Sequence, residues 1–181
     1  MCGDSRSSRK YVFFFLDRAN YVMVALTASA ILYTHSVGVV YFCAGAVACT
    51  VSVKCVKQIL RQARPVQTTN REQKQSFGMP STHSAAITFF GTYIPLACTW
   101  LPLHTSFPKS PLFRCLVVLV TVPWTVAVAR SRILLGHHTA PQVIVGCVYG
   151  FSFACIWFWL WVHGLNDWGQ RVERYFGVYI R

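Results

Sequence analysis

In a chain poor in charged residues, histidines stand at the edges of apolar runs with cations gathered beside them. Pro80-Ser81-Thr82-His83 opens one such run. A serine there can cap a helix, directing backbone N–H groups and the positive end of the helix dipole at one spot. Such a spot attracts anions, and phosphate above all. His137 and His138 follow Gly136 at the start of another apolar run. Lys54, Lys57, Arg61 and Arg64 are spaced three, four and three apart, which puts all four on one face of a helix that Pro65 stops. Alone, that stripe would read as lipid-facing cations snorkelling to headgroups, and each histidine as an interfacial residue. A second pair of cations, Arg130 and Arg132, argues for more. No carboxylate stands near either histidine in the sequence, so a divalent metal lacks its usual hard oxygen ligands. The chemistry left needs neither metal nor cofactor. Guanidinium, ammonium and helix-end amide groups bind a phosphoryl group, one histidine attacks it and the other protonates the leaving oxygen.

These residues need elements that bring them together. The sequence predicts an all-α polytopic membrane bundle of about five to six helices, with the active site at one membrane face. Residues 1–10 are polar and basic. Tyr21–Val53 is nearly continuous apolar sequence. At about 1.5 Å per residue it is roughly 50 Å of helix, too long for one crossing of an apolar layer about 30 Å thick. Two spans are therefore expected, 12–33 and 37–56, turning near Thr34-His35-Ser36. A polar loop covers 57–81. A third span covers 82–103, bent or ended by Pro95 and Pro102, and a fourth covers 111–129, followed by Arg130-Ser131-Arg132. A fifth runs over 139–163, and the mixed tail 164–181 is expected on the membrane surface. The third and fourth spans form a hairpin, so the 57–81 loop and the 130–138 turn must share one side of the membrane. The whole of 1–181 reads as a single membrane-embedded domain.

Composition agrees with this and narrows the function. Of 181 residues, 54% are hydrophobic and only 12% charged, about half the usual charged share. The net charge of +12 comes from 17 Lys and Arg against five acids. The cations crowd beside the apolar runs with no nucleic-acid-binding motif among them, which argues against a nucleic-acid partner. The cysteines lie mostly inside apolar runs, with no Cys-x-x-Cys pair, so a zinc site or disulfide framework is not expected.

Three segments in order then resemble a known family. Lys57-x6-Arg64-Pro65, Pro80-Ser81-Thr82-His83 and Ser131-Arg132-x5-His138 look like the tripartite signature of the type 2 phosphatidic acid phosphatase superfamily, spanning 57–142. The resemblance implies a lipid-phosphate phosphatase of the membrane, with Lys57, Arg64 and Arg132 binding phosphoryl oxygens beside Ser81 and the amides around Thr82. It implies His138 as the nucleophile that forms a phosphohistidine, His83 as general acid, and position 142 as the residue that orients the nucleophile. Two positions depart from the common pattern. Thr82 stands where glycine is usual, and Gln142 where an aspartate is usual. A glutamine can accept a hydrogen bond from the His138 Nδ1–H but supplies no negative charge.

A weakly supported nucleophile suits a good leaving group, and a diphosphate ester offers one: a phosphate monoester with a second pKa of about 6. With Phe77-Gly78-Met79-Pro80-Ser81 upstream and Gln142 itself, the chain is most similar to the dolichyl-diphosphatase branch. That implies hydrolysis of the terminal phosphate of a polyprenyl (dolichyl) diphosphate in the endoplasmic reticulum, with a lumenal active site. Two other readings compete: a broad phosphatase for phosphatidate-like monoesters, and an inactive protein that only binds lipid phosphate. The intact pair of histidines argues against the latter. The positive-inside rule would place the cation-rich face in the cytosol, but cations that bind substrate are poor witnesses to sidedness.

Overall fold

A computed structural model describes residues 19–63, 77–102 and 107–177. The described residues form an all-α membrane helix bundle. Its helices are α1 (Ala19–Thr34), α2 (Val37–Leu60), α3 (Thr82–Trp100), α4 (Pro111–Leu134), α5 (Ala140–Leu160) and, after a kink within Trp161–Leu165 where His163 and Gly164 leave helical dihedrals, α6 (Asn166–Gly177). The long apolar run divides where expected. The chain turns at His35, whose φ is 49°, and α2 starts after Ser36. The first ten residues and the start of the expected 12–33 span lie outside the described residues.

Among the described residues, three segments are long and apolar enough to cross a membrane: Val37–Leu60, Pro111–Leu134 and Ala140–Gly169. The expected third span, α3, is not among them, because it is the core of the bundle. Ala85, Ile87, Phe89, Phe90, Tyr93 and Cys98 on it are buried, along with Ser84. A helix shielded by its neighbours need not be uniformly apolar, and α3 carries Ser, Thr and His instead. Phe42 of α2 packs against Phe89, Phe90 and Tyr93 at ring-centroid distances of 5.0–5.8 Å. The α2–α5 contact is held polar end to polar end. Tyr41 Oη donates to the Trp157 carbonyl (2.9 Å), and Trp157 Nε1 donates to the Tyr41 carbonyl (3.1 Å).

The tightest approach is between α3 and α5. A Cβ at Gly146 would stand 2.6 Å from the Ser81 carbonyl oxygen, and one at Gly150 would overlap the Ala85 carbonyl. Gly146-x3-Gly150 is thus a small-residue stripe that lets two backbones meet inside a membrane. Gly150→Val is expected to destabilise the bundle by about 3 kcal/mol, the upper range for overpacking. Thermal unfolding in detergent would check this, and an unchanged midpoint would refute the close approach.

Two expectations about helix ends are corrected. The helix carrying Lys54 and Lys57 ends at Leu60, before Pro65 is reached, and Arg61 caps it in the left-handed conformation (φ 47°). The fourth helix does not stop at 129 but runs to Leu134, so Arg130, Ser131 and Arg132 belong to its last turns. No residue in that stretch breaks a helix until Gly136, which takes φ 69°.

Candidate active site

Four chain segments meet at one end of the bundle: the ends of α2 and α4, and the beginnings of α3 and α5. Hydrogen bonds between them define the place. The Ser81 N–H donates to the Gln142 carbonyl (3.1 Å), and the Gly78 N–H donates to the Gln62 carbonyl (2.7 Å). The N–H groups of His137 and His138 both donate to the Arg132 carbonyl, at 3.1 and 3.2 Å.

Ser81 is the N-cap of α3 and fully buried. Its Oγ accepts from the Ser84 backbone N–H (3.4 Å) and from the Ser84 hydroxyl (2.9 Å). A helix cannot satisfy its first N–H groups internally. With Ser81 taking that of Ser84, those of Thr82 and His83 point out of the helix end. Both residues are half-buried. The Met79–Pro80 peptide bond leading into this cap is cis.

Arg132 lies in the last turn of α4, only 2% exposed. Its Nε and Nη2 donate to Ser131 Oγ at 3.3 and 3.2 Å, and that hydroxyl donates in turn to the Val128 carbonyl (2.7 Å). A planar guanidinium gripped at two nitrogens cannot swivel freely.

Lys57 is buried on the α2 stripe Gly45, Cys49, Val53, Lys57, whereas Lys54 and Arg61 are exposed. The four cations therefore do not share one face. Lys57 turns inward, Lys54 turns outward a turn earlier, and Arg61 stands past the helix end. Arg64 lies outside the described residues.

The closest-knit group is centred on Gln142, which is 2% exposed. Its Oε1 accepts from the Thr139 N–H (3.2 Å) and lies 3.2 Å from His138 Nδ1, while its Nε2 donates to the Ala63 carbonyl (3.1 Å). The two backbone partners set the amide's orientation. A carbonyl only accepts and an N–H only donates, so the amide nitrogen must face Ala63 and the oxygen must face Thr139. The oxygen is then the atom that meets His138. Nδ1 must carry the proton, and a neutral His138 ring has its lone pair on Nε2. The ring itself is buried at 5% exposure. His137 beside it is half-buried.

The family model for the PAP2 superfamily matches residues 36–166, well over half of the chain. The chain belongs to the PAP2 superfamily. That span holds every helix end that forms the site. Among individual proteins, this PAP2 chain is 33% identical to lipid phosphate phosphatase gamma of Arabidopsis thaliana over 112 residues, 58% of this chain and 45% of that one. It is 27% identical to the chloroplastic lipid phosphate phosphatase epsilon 1 of the same plant over 144 residues, covering 79% and 48%. It is 32% identical to dolichyldiphosphatase 1 of Dictyostelium discoideum over 103 residues, covering 57% and 43%. The chain thus spans less than half the length of the curated relatives it matches. No solved structure matches it.

Several residues of this PAP2 site escape a motif reading. Thr139-Ala140-Pro141-Gln142 has the spacing of a capping box, a signal that would have assigned Gln142 to the first turn of α5 as well as to His138. Ser84 is visible only as a third-position serine after a cap. Ala63 and Gly78 carry no chemical side chain, and nothing in the sequence pairs them with Gln142.

Proposed function

We propose that the chain is a lipid diphosphatase that removes the terminal phosphate from a polyprenyl diphosphate through a phosphohistidine on His138. The observation that carries this reading is the Gln142 amide, which holds the His138 proton on Nδ1 and leaves Nε2 with the lone pair needed for attack. In the first step Nε2 forms a bond to the terminal phosphorus while the bond from phosphorus to the bridging oxygen breaks. His83 gives that oxygen its proton, and the lipid monophosphate departs. Water, deprotonated by the same His83, then attacks the phosphohistidine, releasing inorganic phosphate and returning His138 to its starting state. Lys57, Arg64 and Arg132, with Ser81 and the amides of Thr82 and His83, hold the phosphoryl oxygens through both steps.

The neutral amide favours a diphosphate. Gln142 orients the ring but offsets none of the positive charge the ring acquires, so a low-pKa leaving group is the better match. A second reading, hydrolysis of phosphatidate-like monoesters, is favoured by the similarity to the plant lipid phosphate phosphatases. Phosphate release from polyprenyl diphosphate and from phosphatidate, measured with the purified chain in detergent, separates the two. A higher kcat/KM on the diphosphate supports our reading, and a preference for phosphatidate rejects it. Similarity to dolichyldiphosphatase 1 favours an endoplasmic reticulum location, and the proposal puts the site on the lumenal side. An epitope placed in the described α4–α5 turn and probed in intact vesicles tests the sidedness.

The site groups named here are cations, amides and imidazoles, and the reaction is proposed to proceed without a divalent ion. Turnover is expected to be unchanged in excess chelator. Loss of activity that magnesium restores would overturn the metal-free mechanism.

A further inference from the structure

Gly78 has no torsional reason to be glycine, since it is not among the described glycines with positive φ, Gly136 and Gly164. It has a spatial one. A Cβ there would overlap Gln142 Nε2 and stand 2.8 Å from the Ala63 carbonyl oxygen and 2.9 Å from Gln142 Cδ. It would sit on the hydrogen bond between Gln142 and Ala63. The Gly78 N–H meanwhile holds the neighbouring carbonyl, that of Gln62, at 2.7 Å. Two consecutive carbonyls beyond the end of α2 are therefore held, one by the Gly78 backbone and one by the Gln142 side chain. The residue that follows them in the chain is Arg64.

We propose that Gly78 and Gln142 form one positioning unit, which sets the His138 imidazole and the Gln62-Ala63 backbone in register with each other. The inference rests on the reading of His138 as the nucleophile. Its physical content is that one amide serves two components of the site. Oε1 meets the ring that attacks, and Nε2 ties the same amide to the Ala63 carbonyl beyond the end of α2. Glycine at 78 keeps that amide's path open. An aspartate at 142 would meet the imidazole but has no donor for the Ala63 carbonyl. In this chain glutamine is thus more than an uncharged substitute for aspartate.

A residue that acts only on folding would change the yield or melting temperature and leave the active fraction's constants alone. The positioning unit predicts otherwise. Gly78→Ala should lower kcat/KM by on the order of 10²-fold, the cost of a misplacement of about 1 Å in a reacting constellation. The loss should fall in kcat more than in KM, because the ring that attacks is displaced. Gln142→Ala should cost about as much. The double variant Gly78→Ala with Gln142→Ala should lose less than the product of the two single losses, since the added methyl then has no amide to displace and meets the Ala63 carbonyl instead. Losses that multiply in the double variant would overturn the proposal, as would a Gly78→Ala enzyme with unchanged constants. Should Gly78→Ala yield no folded protein, Gln142→Met carries the test. It keeps the volume but removes the contacts to His138 and Ala63, so kcat should fall while the protein stays folded. An unchanged kcat would overturn the proposal. Failure of the underlying reading looks different: His138→Ala would then retain turnover, whatever Gly78 does.

Discussion

His138→Ala is expected to lower phosphate release by at least about 10⁴-fold, the scale on which removal of a covalent nucleophile is felt. His137→Ala should keep most activity. The two residues are adjacent, and both backbone N–H groups reach the same Arg132 carbonyl, so backbone geometry does not tell them apart. Their side-chain settings do. His138 is buried with Nδ1 against Gln142 Oε1, while His137 is half-buried. The ring at 138 has its proton assigned by partners whose own roles are fixed. Truncation at 138 leaves the Gln142 bonds to Thr139 and Ala63 in place, so the fold should survive and the lipid should still bind. Trapping with labelled substrate should give a phosphoenzyme that is labile in acid and stable in base, absent from His138→Ala and present in His137→Ala. If the two variants exchange behaviour, the nucleophile is His137 and the amide argument is wrong.

The architecture was legible because the bilayer imposes a length on apolar runs. The division of Tyr21–Val53 at Thr34-His35-Ser36 follows from that length, and the kink at His163 and Gly164 falls at the expected end of the fifth span. Helix ends were harder, because they are decided by single residues. Pro65 looked like the stop for the helix carrying Lys57, yet Arg61 ends it earlier by taking a left-handed conformation that no sequence rule assigns to arginine. Residue types suggest a loop at Arg130-Ser131-Arg132, yet the helix continues through the exposed Arg130 to Ser131 and Arg132, which are buried against the bundle. The resulting error mattered for chemistry. Spacing put four cations on one face, whereas Lys57 follows Cys49 and Val53 into the interior and Lys54 does not. The Gln142 contact to His138 could be anticipated from their separation of four positions. The contact to Ala63 spans 79 positions and involves a backbone carbonyl, which leaves no trace in residue types.

Arg132→Lys is expected to lower kcat/KM by about 10³-fold even though the charge is kept, within the range seen when a preorganised donor or arginine is removed from a phosphoryl-transfer site. The argument is geometric. Two guanidinium nitrogens, Nε and Nη2, are spent on Ser131 Oγ, and that hydroxyl is itself anchored on the Val128 carbonyl. Such a grip fixes the plane of the fork, so the remaining N–H groups keep a set direction without further ordering when phosphate arrives. An ammonium is a single point that turns about a flexible stem, so it cannot be held by Ser131 and present a two-pronged donor at the same time. Burial at 2% exposure magnifies the difference, because little water competes for the donors or fills the space a shorter head leaves. Ser131→Ala gives the graded companion. It releases the guanidinium without removing it, and about a tenfold loss is expected, the value of one hydrogen bond of roughly 1.4 kcal/mol. On the proposed mechanism the fall in Arg132→Lys should appear in kcat as well as in KM, since the phosphoryl oxygens would gain charge as the bridging bond breaks. Wild-type kinetics in Arg132→Lys would mean that charge alone is used at this position and that the Ser131 grip serves only the packing of α4.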